Sequence, residues 1–433
     1  MIFDIVNACT SHRSTLVNTG SIRRRAADKP QSSPPSAPVG QTDFRCALQS
    51  DCQACQHINK PYGQALLQKY KDGLATLKEA QLLERTRILD VNPTPQILHY
   101  RTSFKLAVRA SNAEDRRFDI GLFVPGTHQV TNIDSCPLHH RPLARILPEL
   151  RDALEDSHLA PYDEKTVSGD VRYIVGRSSH LTGQMILTFV VTRPSVKPEL
   201  NRIVGKLRQR HDVVGAFCNI NPDSTNAILG LQTIKLSGID RLRESLCDLD
   251  FFVDPQAFFQ INPWQAEVLY RRVQDIAGTT ASDKVAWDLY CGAGQYAMLL
   301  ANNGYRSLGV EEIPAAVASA KLNAERNSLQ DRATFLTGRC EEQTWHFPDW
   351  AKKPSVIVVN PSRRGLAAPM RQFIGKTLVE NPRCILIYVS CDVTSFRRDC
   401  EDLHNVFDLS LRQVEAFDMF AHTEQLEWLG VIR

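Results

Sequence analysis

From Val285 onward the chain repeats one pattern: a short apolar run, a turn, then a stretch with helical spacing. The runs are VAWDLYCGAG, SLGVEE, ATFLTG, VIVVNPSRRG and CILIYVSC, with a long helical stretch at 315–327. Apolar strands alternating with helices specify a parallel sheet covered on both faces, because every crossover lays a helix across it. The pattern predicts an α/β, doubly wound, Rossmann-like sheet over 250–433, entered through 251–269, which reads as strand, turn and helix. In open sheets of this kind ligands sit outside the carboxyl ends of the strands. The residues just past each apolar run therefore carry the functional reading.

Past the first run, Asp288-Leu-Tyr290-Cys-Gly292-Ala-Gly294-Gln-Tyr-Ala297 matches G-x-G-x-x-A, and Glu311 ends the next strand. Glycines let the backbone approach a ligand and a strand-ending carboxylate can hold ribose hydroxyls, so an adenosine-type cofactor is expected. The fourth run ends in Asn360-Pro-Ser-Arg363-Arg364-Gly365, placing an amide and a rigid turn at the same edge. Asn-Pro here is a habit of base-modifying methyltransferases and favours S-adenosylmethionine over a dinucleotide. The next run ends in Ser390-Cys391-Asp392, putting a thiol beside Asn360. Arg363 and Arg364 are expected to lower its pKa from about 8.5 and so supply thiolate. Close to the C-terminus, Glu427 precedes a last apolar strand and is a candidate general base, whereas Glu424 reads as a solvated loop acid.

The 433 residues exceed what one core usually supports, and 43% hydrophobic with 23% charged residues is globular. The expected organisation is a disordered tail at 1–41, a cysteine-bearing loop and helix at 42–96, a central α+β domain at 97–249, and the sheet domain at 250–433. No apolar run approaches the roughly 18 residues of a membrane span, and the Arg-containing N-terminus lacks a signal-peptide core. A cytoplasmic protein without membrane contact or an obligate protein partner is expected. Lys plus Arg (51) barely exceeds Asp plus Glu (48), so any nucleic-acid signal must be positional.

Twelve cysteines in such a chain do not make a disulfide framework. Cys46-x5-Cys52-x2-Cys55 with a distant Cys136-Pro137 fits iron–sulfur ligation better than zinc, with free thiols as the third reading. His57, His139 and His140 are alternative ligands expected to be exposed. Along 100–109, Arg101, Ser103, Lys105 and Arg109 share one strand face and Tyr100, Phe104, Leu106 and Val108 the other, so one face can pack while the other meets RNA phosphates.

Together these motifs resemble the ribosomal-RNA branch of the RNA uracil-5-methyltransferase family over 44–433. The likeness rests on the four cysteines, Phe258-Phe-Gln260-Ile-Asn262-Pro263, the glycine turn, Asn360-Pro, Ser390-Cys391 and Asp418-Met-Phe-Ala-His-Thr423. The resemblance implies a methyltransferase sheet and a small N-terminal iron–sulfur region, with a [4Fe–4S] cluster on Cys46, Cys52, Cys55 and Cys136. It further implies S-adenosyl-L-methionine contacts from Gln260, Tyr290, Glu311 and Asn360, Cys391 as nucleophile, Glu427 as base, and 23S ribosomal RNA as substrate. The tRNA-modifying branch lacks the cysteines, and the residues before Cys46 are too few and too polar for the N-terminal barrel of another ribosomal branch. Departures from the family pattern fall at Ser362, Asp392, Ala421 and Gln425. Rival readings are methylation of another RNA such as tRNA, an iron–sulfur NAD-dependent oxidoreductase, which gives Asn360 and Cys391 no task, and an RNA-binding protein with a degenerate site.

Overall fold

The computed structural model describes residues 44–224, 227–278, 284–342 and 346–433, so the tail expected at 1–41, Cys9 included, lies outside the described residues. The N-terminal part contributes helices α1 (Gln49–Cys52) and α2 (Tyr62–Glu79) and a short strand β1 (Arg87–Ile88). A central part follows, with strands β2 (Ser103–Ala110), β3 (Phe118–Phe123), β4 (Val130–Asn132), β5 (Val171–Ser178), β6 (Met185–Val191), β7 (Val213–Ile220) and β8 (Gln232–Gly238). Helices α3 (Arg141–Glu155) and α4 (Lys197–Arg208) interrupt them. After a hairpin, β9 (Leu242–Leu246) and β10 (Leu249–Val253), come α5 (Pro263–Gly278), β11 (Val285–Leu289), α6 (Gln295–Asn302), β12 (Arg306–Glu311), α7 (Pro314–Arg326) and β13 (Ala333–Thr337). The chain closes with β14 (Val356–Val359), α8 (Ala368–Glu380), β15 (Ile385–Ser390), α9 (Val393–Phe407), β16 (Leu411–Phe417) and β17 (Glu427–Ile432).

The larger sheet runs β1-β16-β17-β15-β14-β11-β12-β13. Strands β11 to β15 are parallel neighbours, as the alternation predicts, but β17 is antiparallel to both β15 and β16. The all-parallel expectation is corrected to a mixed sheet for a reason of length. The connection 418–426 is shorter than the dozen or so residues a parallel crossover needs, so the chain can only turn back. Apolar side chains of β11, β14 and β15 alternate between two cores. Ala286, Val358 and Ile387 face α5, α6 and α7, while Trp287, Ile357 and Leu386 face α8 and α9. The second core also takes in α2, where Gly73 admits the indole of Trp428; a Cβ there would lie 2.1 Å from the ring. Through α2 and through β1, which pairs with β16, the segment expected to be a separate loop and helix joins the larger sheet. The hairpin straddles position 250 and packs Leu246, Leu249 and Phe251 against α5 and α6 residues.

The central sheet runs β4-β3-β2-β5-β6-β7-β8. Helices α3 and α4 cover one face, burying Phe104, Leu106 and Val108 of β2 with Leu143, Leu147 and Leu200. On the opposite face Lys105 is exposed, but Arg109 departs from the expected row of phosphate contacts. Arg109 is buried, its guanidinium bound to the backbone oxygens of Val108 and Arg172 and paired with Glu164. Rings of Phe123, Tyr162 and Tyr173 surround it at 5.1 to 5.5 Å, so this arginine holds the fold together.

Candidate active site

Strand register assembles the site. Leu289 lies level with Val310 on one side and Val359 on the other, so the next residues, Glu311, Tyr290 and Asn360, stand side by side at the carboxyl edge. Tyr290 has φ 66°, a conformation few non-glycine residues accept, and Gly294 has φ 85°. A side chain at Gly294 would also meet Phe335 at 2.8 Å. These turns aim the amide of Gly292 at Glu311, whose carboxylate accepts from Gly292 N and Ile313 N, both at 3.0 Å. Tyr290 donates its hydroxyl to Glu341 at 3.0 Å. Behind the turn Asp288 is buried and accepts from Ala297 N at 2.8 Å; burial, with Glu311 nearby, raises its carboxyl to about 7.

Ser390 pairs with Trp428 and Phe417 with Glu427, so one further antiparallel step brings Cys391 level with Glu427. Gln260, Tyr290, Glu311, Asn360, Cys391 and Glu427 all line one cavity of about 1000 Å³. Glu427 is buried, which raises its carboxyl to about 8. The expectation of a lowered thiol pKa at Cys391 is corrected. Burial pushes the thiol up to about 11, Glu427 adds to the rise, and Arg363, although it touches the sulfur, offsets only part. Arg364 is exposed and lines the same cavity.

Two departures from the family pattern find structural work. Asp392 caps α9, its Oδ1 accepting from Ser395 N at 2.7 Å, a task aspartate and asparagine share. Gln425 accepts from Arg363 Nη2 at 2.8 Å and so fixes the one guanidinium that stabilises the thiolate. Ala421 is buried and its carbonyl accepts from the Tyr100 hydroxyl at 2.9 Å. Nothing in the structure explains Ser362.

The loop 418–426 that delivers Glu427 is tied to the N-terminal part. Lys69 on α2 pairs with Asp418 at 2.5 Å, both side chains buried, and also donates to the half-buried carbonyls of Phe420 and Gln425. Its ammonium is pushed down by burial, and Asp418 holds it up in part. His57 N donates to the carbonyl of His422, a residue at φ 67°. Sequence reasoning missed Lys69, since its partner lies 349 positions away. It also missed Arg339, Cys340 and Glu341, which line the cavity after β13. The acidic pair Glu341-Glu342 following the third apolar run was the available signal for them.

Cys46, Cys52, Cys55 and Cys136 line a second cavity, of about 230 Å³, together with Arg101 and His139. Burial, and then the Cys136 thiol, push Cys55 up to about 12. Among the described residues no group of three or more His, Cys, Asp or Glu is placed to hold a metal ion. His139, expected to be exposed, is buried against Phe104 with its pKa lowered to about 3 by burial and then by Arg101. The knot packs onto the active-site loop: Ile58, Tyr100, Leu138 and Ala421 form one apolar cluster against which Cys46, Cys55 and Cys136 lie. Among the described residues no helix is long and apolar enough to cross a membrane.

No family model matches the chain. It is 30% identical over 387 residues to an uncharacterised RNA methyltransferase of Clostridium tetani, spanning 88% of this chain and 81% of that one. It is 31% identical over 388 residues to another from Bacillus anthracis, with the same coverage of both chains. In structure it resembles the Pyrococcus abyssi tRNA (uracil-54, C5)-methyltransferase solved with S-adenosyl-L-homocysteine. The TM-score is 0.70 at 24% identity, over 90% of this chain and 86% of that one.

Proposed function

The chain belongs to the RNA methyltransferase family, and from that premise we propose that it methylates C5 of a uracil in 23S ribosomal RNA through a covalent adduct at Cys391. One observation carries the reading: a thiol and a buried carboxyl lie level across β15 and β17, in the cavity that Glu311, Tyr290 and Asn360 also line. An oxidoreductase has no use for that pair. The glycine turn, the Glu311 carboxylate and Gln260 fit the adenosine, ribose and amino-acid parts of S-adenosylmethionine. When bound, that cofactor supplies an electrophilic methyl on a cationic sulfonium, whose charge favours the ionised forms of Cys391 and Glu427.

C5 of uracil is a poor nucleophile. Cys391 gives its proton to solvent, helped by Arg363, and the thiolate adds to C6, which pushes electron density to C5. After C5 has gained its methyl group, Glu427 accepts the C5 proton. The C6–S bond then breaks, and that proton returns to the sulfur. One proton is released per methyl transferred, and the product is 5-methyluridine. The target base must leave its stack to enter the cavity, which favours an unpaired loop.

Cys46, Cys52, Cys55 and Cys136 are the residues we assign to a [4Fe–4S] cluster. What supports the assignment is that the four thiols line one cavity, where they would supply four thiolate ligands. Its part is to brace the Ile58–Tyr100–Ala421 packing under the loop that carries Glu427. The same cysteines are what separate the ribosomal from the tRNA branch in the resemblance.

The test is Cys391→Ala with RNA carrying 5-fluorouracil. The wild-type protein forms an adduct with that RNA that survives denaturation; Cys391→Ala forms none, loses turnover and still binds S-adenosylmethionine. Turnover retained in the variant refutes the assignment. Mapping 5-methyluridine in a strain lacking the gene identifies the RNA.

A further inference from the structure

The central sheet holds a third cavity, of about 680 Å³, on the face turned away from α3 and α4. Lys105, Phe123, Tyr162, Arg172 and Tyr173 line it. Two of these are cations without a carboxylate partner among the described residues. Arg172 is 3% exposed, donates only to the carbonyls of Asn221 and Asp223, and keeps its Nε without a partner. Lys105 is exposed, and burial of its stem and the Arg177 guanidinium both lower its pKa. Arg109 beneath the cavity is neutralised by Glu164, so the positive charge here belongs to Lys105 and Arg172. The one carboxylate in the cavity wall, Glu164, is engaged by Arg109 and His128, and the Arg172 guanidinium lies over the Tyr162 ring at 4.5 Å with no anion of its own, which is costly for a buried cation.

Position links this cavity to the active site. Arg177 at the far end of β5 donates to the carbonyl of Ala257 at 2.8 Å, next to Phe258, which is 63% exposed at the rim of the active-site cavity. From Arg177 to Tyr173 is four residues of strand, about 13 Å at roughly 3.3 Å each. That is about two nucleotides of extended RNA between the cavity and the segment that carries Phe258.

We propose that this cavity is a second nucleotide subsite. It takes a splayed base from the single strand flanking the target uridine, the base against Tyr173 and Phe123 and its phosphate against Lys105 and Arg172. Stacking rings beside cations is how single strands are held without strict sequence preference. A protein segment would satisfy the rings but gives Arg172 and Lys105 no anion unless it is acidic. The inference rests on the proposed activity and adds the reason for a substrate longer than the reacting loop.

The experiment compares two RNAs centred on the mapped uridine, a minimal loop and one extended by several nucleotides on each side, with 5-iodouridine placed in turn along the extension. The extended RNA is to show a lower KM than the minimal loop, and one flank position is to crosslink to Tyr173 or Phe123 on irradiation. Tyr173→Leu and Phe123→Leu each remove one ring of the cage about Arg109, so each is compared at a temperature where its unfolding curve shows it as folded as wild type; there they are to cut the KM advantage of the extended RNA by about 5- to 150-fold, the loss expected for one stacked base. Lys105→Met, which fills the place of the buried stem without the charge, gives the same direction. Equal KM values for the two RNAs, with no flank crosslink, overturn the subsite and leave the activity intact. Protection of the cavity by a protein rather than RNA overturns it as well. If neither RNA accepts a methyl group, the proposed activity fails first and the subsite with it.

Discussion

Replacing Glu427 with glutamine separates a buried acid from a surface one. The carboxyl is enclosed and its pKa is lifted from 4.5 to about 8 by burial alone, so the folded protein binds a proton there that the unfolded chain has already released above pH 5. Protons held by the fold make stability fall as pH rises between the two values. The stabilisation is fully present below about pH 4.5, and at one pK unit per 1.36 kcal/mol the whole span is about 5 kcal/mol. Between pH 6 and pH 9 about 3 kcal/mol of it is lost. Glutamine keeps the shape and has no proton to lose. Urea unfolding of the sheet domain, followed by tryptophan fluorescence because Trp287 and Trp428 lie in its core, gives the comparison. Wild type minus Glu427→Gln is to change by about 3 kcal/mol from pH 6 to pH 9, the variant being the more stable at the alkaline end. A flat difference over that range refutes the burial argument. The same variant, given RNA and S-adenosylmethionine, is to accumulate the methylated Cys391 adduct, since addition needs no carboxylate and release does.

Two further perturbations probe what holds the site. Lys69→Met leaves Asp418 buried without its cation, which costs about 3 to 5 kcal/mol, whereas Lys69→Met with Asp418→Leu recovers most of that loss; hydrogen exchange of the loop 418–426 reads both, and a single variant that exchanges like wild type counts against the tether. Arg363→Met removes the cation that offsets part of the rise at Cys391, so the pH midpoint of alkylation by iodoacetamide is to move upward from about 11; an unchanged or lower midpoint shows that Arg363 does not act on the sulfur.

The edge of the larger sheet was legible because its information is local. A residue that follows an apolar run stands at a strand end whatever the rest of the chain does, and register then sets Glu311, Tyr290 and Asn360 abreast. Three other features depend on balances or on distance. Arg109 alternates in sequence with Lys105 and Ser103, yet its environment is set by Tyr162 and Glu164, more than fifty positions away, and these turn a phosphate contact into a core cation. The pKa of Cys391 is a contest between charge and desolvation: two neighbouring arginines are visible in the sequence, but the burial that outweighs them belongs to the assembled cavity. The direction of β17 follows from a loop length that could have been counted, and its consequence is chemical. Only an antiparallel return brings residue 427 level with residue 391. A parallel crossover would start the last strand at the opposite edge of the sheet, leaving the carboxyl a full strand length from the sulfur. Shortness of the loop 418–426 is therefore what sets a carboxyl beside the sulfur, and the buried Lys69–Asp418 pair at its start ties that short loop to α2.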